Sequence, residues 1–152
     1  MKDGYLNLDQ GSFRVGPGTR GEAFVASGIG AQSALILSNQ QYRTYKTPIQ
    51  IIDDRSFLLT LSFEDGHLAS VRLYPVEASP AQAESWASYS EADQLKKKME
   101  NDRWLLSVFG TTPPYTLPWG SVQSVFDARS GASEIIIRYV AGDAVSRGRW
   151  PA

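Results

Sequence analysis

Trp119-Gly-Ser-Val-Gln-Ser-Val-Phe-Asp-Ala-Arg-Ser-Gly-Ala-Ser-Glu-Ile-Ile-Ile-Arg-Tyr139 holds two β-prone runs on either side of a loop of turn formers. Val, Ile, Phe and Tyr suit a pleated, half-buried surface, whereas Asp127, Ser130 and Gly131 suit a chain reversal, so the stretch predicts an antiparallel hairpin. Its pairing sets Val122, Ser124 and Phe126 against Ile135, Ile137 and Tyr139, and a loop of about five or six residues leaves the register open.

A second hairpin lies upstream, where Phe57, Leu59, Leu61 and Phe63 alternate with Leu58, Thr60 and Ser62 and Asp65-Gly66 marks the turn. A two-residue loop would oppose Leu61 and Leu59 to Ser70 and Arg72. A three-residue loop, Glu64-Asp65-Gly66, instead pairs Phe63 with His67, Leu61 with Ala69, Leu59 with Val71 and Phe57 with Leu73. Because a one-residue slip turns one strand's apolar set toward water, the three-residue loop is expected, with Gly66 in the left-handed position of a bulge. Leu35 to Leu37, Tyr42 to Tyr45 and Ile49 to Ile52 are shorter β-prone pieces that suggest small or edge strands, broken by Ser38-Asn39, Pro48 and Asp53-Asp54.

Ser90-Glu-Ala-Asp93 approximates a capping box before a helix over about 91–109. Leu95, Met99, Leu106 and Phe109 are expected to form its core face, broadened by Trp104, Leu105 and Val108. Gly110 stops it, and Pro113-Pro114 prevent resumption. A shorter helix is expected after the Gly16-Pro-Gly-Thr turn, with Thr19 as N-cap, Glu22 reaching back to it and Gly28 as the stop. The resulting expectation is an α+β fold: an antiparallel sheet of about five or six strands packed by one long and one short helix. One domain spans 1–140, and the tail over 141–152, poor in packing residues apart from Trp150, is expected to be mobile.

Composition narrows the function classes. At 152 residues, 42% hydrophobic and 20% charged, the chain has the make-up of an ordinary globular domain. A formal charge of −1 offers no general attraction for nucleic acid or anionic lipid. There is no cysteine, which removes disulfides, thiolate catalysis and sulfur-based zinc sites. Met1 to Gln10 lacks the apolar core of a signal peptide, and no later window has the length and apolarity of a membrane span, so a cytoplasmic location is expected.

Gly16, Gly18 and Gly21 spell G-x-G-x-x-G, but only Phe13 to Val15 precede them as a strand, and Gln40 and Gln41 stand where a dinucleotide site needs an acid. Read instead as a phosphate loop, the same run has Glu22 and Ala23 where Lys and Ser or Thr belong. No cofactor motif is left. His67 is the single histidine, beside a turn, with no cysteine or second imidazole to help it bind a metal, and no G-x-S-x-G elbow accompanies the serines. Asp53-Asp54 and Glu64-Asp65 read as solvated turns, and Lys96-Lys97-Lys98 as a wet helix face with an Asp93–Lys97 pair. Catalytic and metal-binding residues are therefore expected to be none. Trp119, Asp127, Arg129, Arg138 and Tyr139 are the candidates for partner binding, because Arg and aromatic residues dominate the energetics of protein interfaces.

Phe13-Arg-Val-Gly-Pro-Gly-Thr, Leu61-Ser-Phe-Glu-Asp-Gly-His-Leu-Ala-Ser-Val, Asp102-Arg-Trp-Leu and the Trp119-to-Tyr139 stretch resemble a family of small uncharacterised bacterial proteins. The resemblance spans most of the chain. Some members resemble cytoplasmic antidotes, or immunity proteins, that accompany secreted bacterial toxins, which implies a non-catalytic, protein-binding role with another protein as partner. The Gly-x-Gly-Thr turn before a short helix also resembles small outer-membrane assembly lipoproteins and β-lactamase inhibitory proteins, although the lipobox cysteine is missing here. A small-ligand or carbohydrate-binding domain using Trp and Tyr surfaces is the alternative expectation. Oligomeric state is left open.

Overall fold

A computed structural model of the protein describes residues 1–76, 91–127 and 132–140. Alternating apolar residues build its centre. Strands β6 (Arg55–Glu64) and β7 (His67–Pro75) form the longest hairpin, and β10 (Ala132–Tyr139) runs antiparallel along the far side of β7. β9 (Gly120–Asp127) and β8 (Tyr115–Leu117) extend the sheet beyond β10, while β4 (Tyr42–Lys46) and β3 (Ala34–Ser38) extend it from β6 in the other direction. With β5 (Gln50–Ile52) beside the start of β6, the result is an eight-stranded antiparallel sheet of order β3-β4-β6-β7-β10-β9-β8. The class is α+β as the sequence predicts. The sheet is larger than expected because β8, three residues long, is too brief to show a period of two, and because the short β3, β4 and β5 all join the same sheet.

One face of the sheet carries the core: Phe57, Leu59, Leu61 and Phe63 of β6, Leu68, Val71 and Leu73 of β7, and Ile135 and Ile137 of β10 are all buried. A separate two-stranded ribbon, β1 (Leu6–Leu8) with β2 (Phe13–Val15), adds Leu6, Leu8 and Val15 to the same core. Helices α1 (Gly21–Ala26) and α2 (Gly28–Gln32) follow and contribute Phe24 and Ile29. The Phe24 ring is within 5.3 Å of Tyr45 and 5.7 Å of Phe63, centroid to centroid. That aromatic cluster fixes α1 on the sheet. The long helix α3 (Glu91–Phe109) covers the β9–β10 half, with Leu105 in the core and Trp104 tilted against Phe57 at 5.3 Å.

Four expectations are corrected in detail. In the β6–β7 hairpin, Glu64 pairs with His67 and Phe63 with Leu68, so the loop has two residues, Asp65 and Gly66, both at positive φ. Beyond it the register shifts at Ala69, and Leu61 then faces Val71, Leu59 faces Leu73 and Phe57 faces Pro75. The requirement for one apolar face is met, but by a bulge inside β7 rather than by a longer loop.

The short helix begins one residue later than expected and its cap differs. The Thr19 hydroxyl accepts the Gly16 N–H at 2.9 Å and closes the preceding turn, while Arg20 occupies the N-cap without a side-chain bond. Gly28 starts a second helix instead of ending the first. Ser27 between them accepts the Gly30 N–H at 3.0 Å and donates to the Phe24 carbonyl at 2.6 Å, linking the two ends.

On α3 the bounds agree with the sequence but the core face does not. Leu95, Met99 and Leu106 are exposed, whereas Asn101 and Leu105 are buried and Trp104, Val108 and Phe109 are partly so. Gln94 anchors the N-terminal part, because its side-chain oxygen accepts the Ser133 N–H at 3.0 Å and its backbone carbonyl accepts the Ser133 hydroxyl. Phe109 at the other end stacks on Tyr115 at 4.1 Å. Lys98 leans inward to Asp102 at 2.9 Å rather than standing on a purely wet face.

In the last hairpin Val122 pairs with Ile137, Ser124 with Ile135 and Phe126 with Ser133, while Tyr139 faces Gly120. Its loop, including Arg129, lies outside the described residues, as do Trp150 and the rest of 141–152.

Candidate functional site

The least protected apolar surface is an edge strand. β3 reads Ala34-Leu-Ile-Leu-Ser38, hydrogen-bonds only to β4, and has no strand on its other side among the described residues. Leu35, Ile36 and Leu37 are exposed by 51%, 54% and 52%. A register shift between Leu35 and Leu37 bulges Ile36, so Leu35 lies on the core side beside Tyr45 and Leu37 on the opposite side beside Thr44. Natural sheet edges are usually shielded by charges, proline or a covering element. β3 has no charge and no proline in its own sequence.

Beside this edge lies a cleft of about 540 Å³ between α1, the β3–β4 turn and the β6–β7 turn. Tyr45 and Phe63 form its apolar side, Val25 and Ala26 stand on the α1 side, and Arg20 and Arg43 supply cations. The frame is held by backbone bonds. Gly21 N–H donates to the Gly66 carbonyl at 2.8 Å, Leu68 N–H to Thr19 at 2.9 Å, and Asp65 N–H to Gln41 at 2.9 Å. The Asn39 side chain accepts the N–H groups of Gln41 and Tyr42 at 3.0 and 2.8 Å, stiffening the β3–β4 turn.

The electrostatics of the cleft divide between its walls. Arg20 pairs with Glu22 at 3.4 Å, both exposed. Tyr42 donates to Glu64 at 3.3 Å, and the neighbouring carboxylate holds the phenol's proton and raises its pKa. Arg43, paired with Phe63 and Ser38 in the ladders, makes no side-chain hydrogen bond or ion pair among the described residues. It is exposed and lines the cleft.

The residues singled out from sequence do not converge on one surface. Trp119 and Tyr139 meet at 5.7 Å, but both turn their polar atoms toward the N-terminal segment. Trp119 Nε1 donates to the Lys2 carbonyl at 2.9 Å, and the Tyr139 hydroxyl donates to the Gly4 carbonyl at 2.7 Å. Burial raises the Tyr139 pKa far above the usual phenol range. Together they clamp that segment to β9 and β10. Arg138 is exposed and points to the opposite face of the sheet from Tyr139. Asp127 is half-buried at the far end of β9, seven strand steps or about 23 Å from Gly120. Arg129 lies outside the described residues.

His67 is exposed, with one ring nitrogen 3.2 Å from the Asp65 carbonyl and the other 3.4 Å from an Arg20 nitrogen. Among the described residues there is no group of three or more His, Cys, Asp or Glu side chains placed to hold a metal ion. No helix there is long and apolar enough to cross a membrane. A buried polar seam runs under α3, where both side-chain polar atoms of Asn101 and the Ser124 hydroxyl are buried without a hydrogen-bond partner among the described residues.

Sequence reasoning missed β3 and Arg43 as a site. The unguarded Leu-Ile-Leu run reads as a small or edge strand in sequence, but only the sheet order shows that it pairs with β4 alone and flanks the cleft. No family model, curated protein or solved structure matches this chain.

Proposed function

We propose that the protein is a non-catalytic module that binds another protein through the β3 edge and the cleft beside it. The observation supporting this reading is the exposed apolar strand Leu35-Ile36-Leu37, whose outward backbone groups lack a strand partner among the described residues. An edge of this kind accepts an added strand, with main-chain bonds giving affinity and side-chain contacts giving selectivity. The antidote form of the reading, neutralisation of a bacterial toxin in the cytoplasm, rests on the sequence resemblance.

Leu35→Thr combined with Leu37→Thr tests it, because Thr keeps β propensity and neutrality while removing apolar contact. In parallel pull-downs from the native cell, wild type should retain a partner that the folded variant loses. Capture of the same partner by both would contradict the reading. A product of the neighbouring gene among the captured proteins would favour the antidote form.

The cleft supports a second reading, a small-ligand or carbohydrate site. Its volume lies in the range of ligand pockets, and Tyr45 and Phe63 present aromatic surface. A rise in Tm with members of a saccharide panel would favour this reading.

A further inference from the structure

Between Glu22 and Asp53 the chain contains no Asp or Glu. Within that stretch Arg43 stands opposite Ser38 and Lys46 opposite Ala34, so each end of the β3 edge has an exposed cation beside it and no carboxylate from β3 or β4. The two carboxylates lining the cleft come from elsewhere, Glu22 on α1 and Asp65 in the β6–β7 turn, and Glu22 is already paired with Arg20.

We infer that β3 receives an extended strand of a partner protein that is apolar where it meets Leu35 and Leu37 and carries a carboxylate within reach of Arg43, an inference that rests on the docking reading above. Strand addition satisfies the outward N–H and C=O groups of β3. The carboxylate meets a guanidinium with no competing anion bound to it, offering a two-pronged, charge-assisted contact. Arg43 lines the cleft together with Tyr45 and Phe63, so this contact forms against a partly apolar wall where water screens it less.

A second copy of the chain is a poorer occupant. Antiparallel self-pairing of β3 would set the Ser38 end of one copy against the Ala34 end of the other. Neither β3 nor β4 carries an Asp or Glu, so a self-paired edge brings no carboxylate from these strands to Arg43.

The test is selection from a random linear peptide library on the immobilised full-length protein, followed by amide-shift mapping with the enriched peptides. Enriched sequences should combine β-branched or aromatic residues with Asp or Glu and shift the amides of residues 34–38. Their affinity should fall by about tenfold or more in Arg43→Glu combined with Lys46→Glu, a variant checked as folded by unchanged amides away from β3 and β4. Peptides without acidic bias, affinity indifferent to the charge reversal, or shifts confined to other strands would overturn the inference. So would a concentration-dependent dimer that protects β3. A native partner lost by Leu35→Thr/Leu37→Thr but retained by the charge-reversed variant would leave the docking reading standing and remove the acidic-strand inference.

Discussion

Tyr139 illustrates how a residue that reads as an interface anchor serves the fold. Its hydroxyl is buried and donates to the Gly4 carbonyl, and burial keeps the proton on the phenol. The unfolded chain gives up that proton once pH passes about 10. Above that value the native state binds more protons than the unfolded state, so stability falls as pH rises. Tyr139→Phe should cost about 1 kcal/mol at neutral pH and then show a shallower alkaline decline than wild type. Urea titrations of both proteins at neutral and alkaline pH check this, and parallel declines would show that another group is responsible. Tyr115, whose pKa burial also raises, is present in both proteins. Asn101 makes the opposite case. It is 0% exposed with neither amide atom bonded among the described residues, so Asn101→Leu should raise stability by about 1 to 3 kcal/mol in denaturant unfolding. A loss above about 1 kcal/mol would mean that the amide is satisfied in solution.

At the scale of elements, α3 and the β6–β7 hairpin separate what a pattern can specify from what it cannot. The C-terminal bound of the helix follows from a local stop at Gly110, whereas Ser90 of the expected capping box lies outside the described residues. The rotation of the helix does not follow locally, because apolar residues at 95, 99, 104, 105, 106, 108 and 109 spread around much of the circumference. The choice is made by Gln94 meeting Ser133 and Trp104 meeting Phe57, both contacts with distant strands. Leu105→Ala should therefore cost about 2 to 5 kcal/mol and Leu106→Ala less than about 1. Equal losses in thermal or urea unfolding would restore the face expected from sequence. In the hairpin, alternation specified the apolar face correctly, but two devices satisfy it equally in sequence, a longer loop or a bulge at Ala69. Gly66 sits in the turn at φ +82° with nothing near a hypothetical Cβ, whereas a Cβ on Gly120 would lie 2.0 Å from the Arg138 carbonyl oxygen. Gly66→Ala should cost about 1 kcal/mol. Gly120→Ala should cost several times more, because backbone must move.

Across the whole molecule, fold class was legible because two long hairpins carry β-prone runs on either side of turn formers and one long helical run is closed by Gly110 and Pro113-Pro114. The number of strands was not, since β8 carries too little pattern to be read and the short β3, β4 and β5 pieces do not show in sequence that all join one sheet. The candidate site was less legible still. Arg and aromatic composition pointed to the Trp119–Tyr139 end, where Trp119 and Tyr139 instead clamp Lys2 and Gly4. Leu35-Ile36-Leu37 reads as a small or edge strand, but which strand it pairs with and which of its sides stays open are properties of sheet order. The docking account is tested most directly by amide hydrogen exchange on the isolated protein and on the complex recovered from its native cell. The account predicts that amides of residues 34–38 become protected in the complex while β8 and the Leu95–Met99–Leu106 stripe of α3 do not change. Protection at β8, on that stripe or at the Trp119–Tyr139 end, with β3 exchanging as fast as in the free protein, would contradict it.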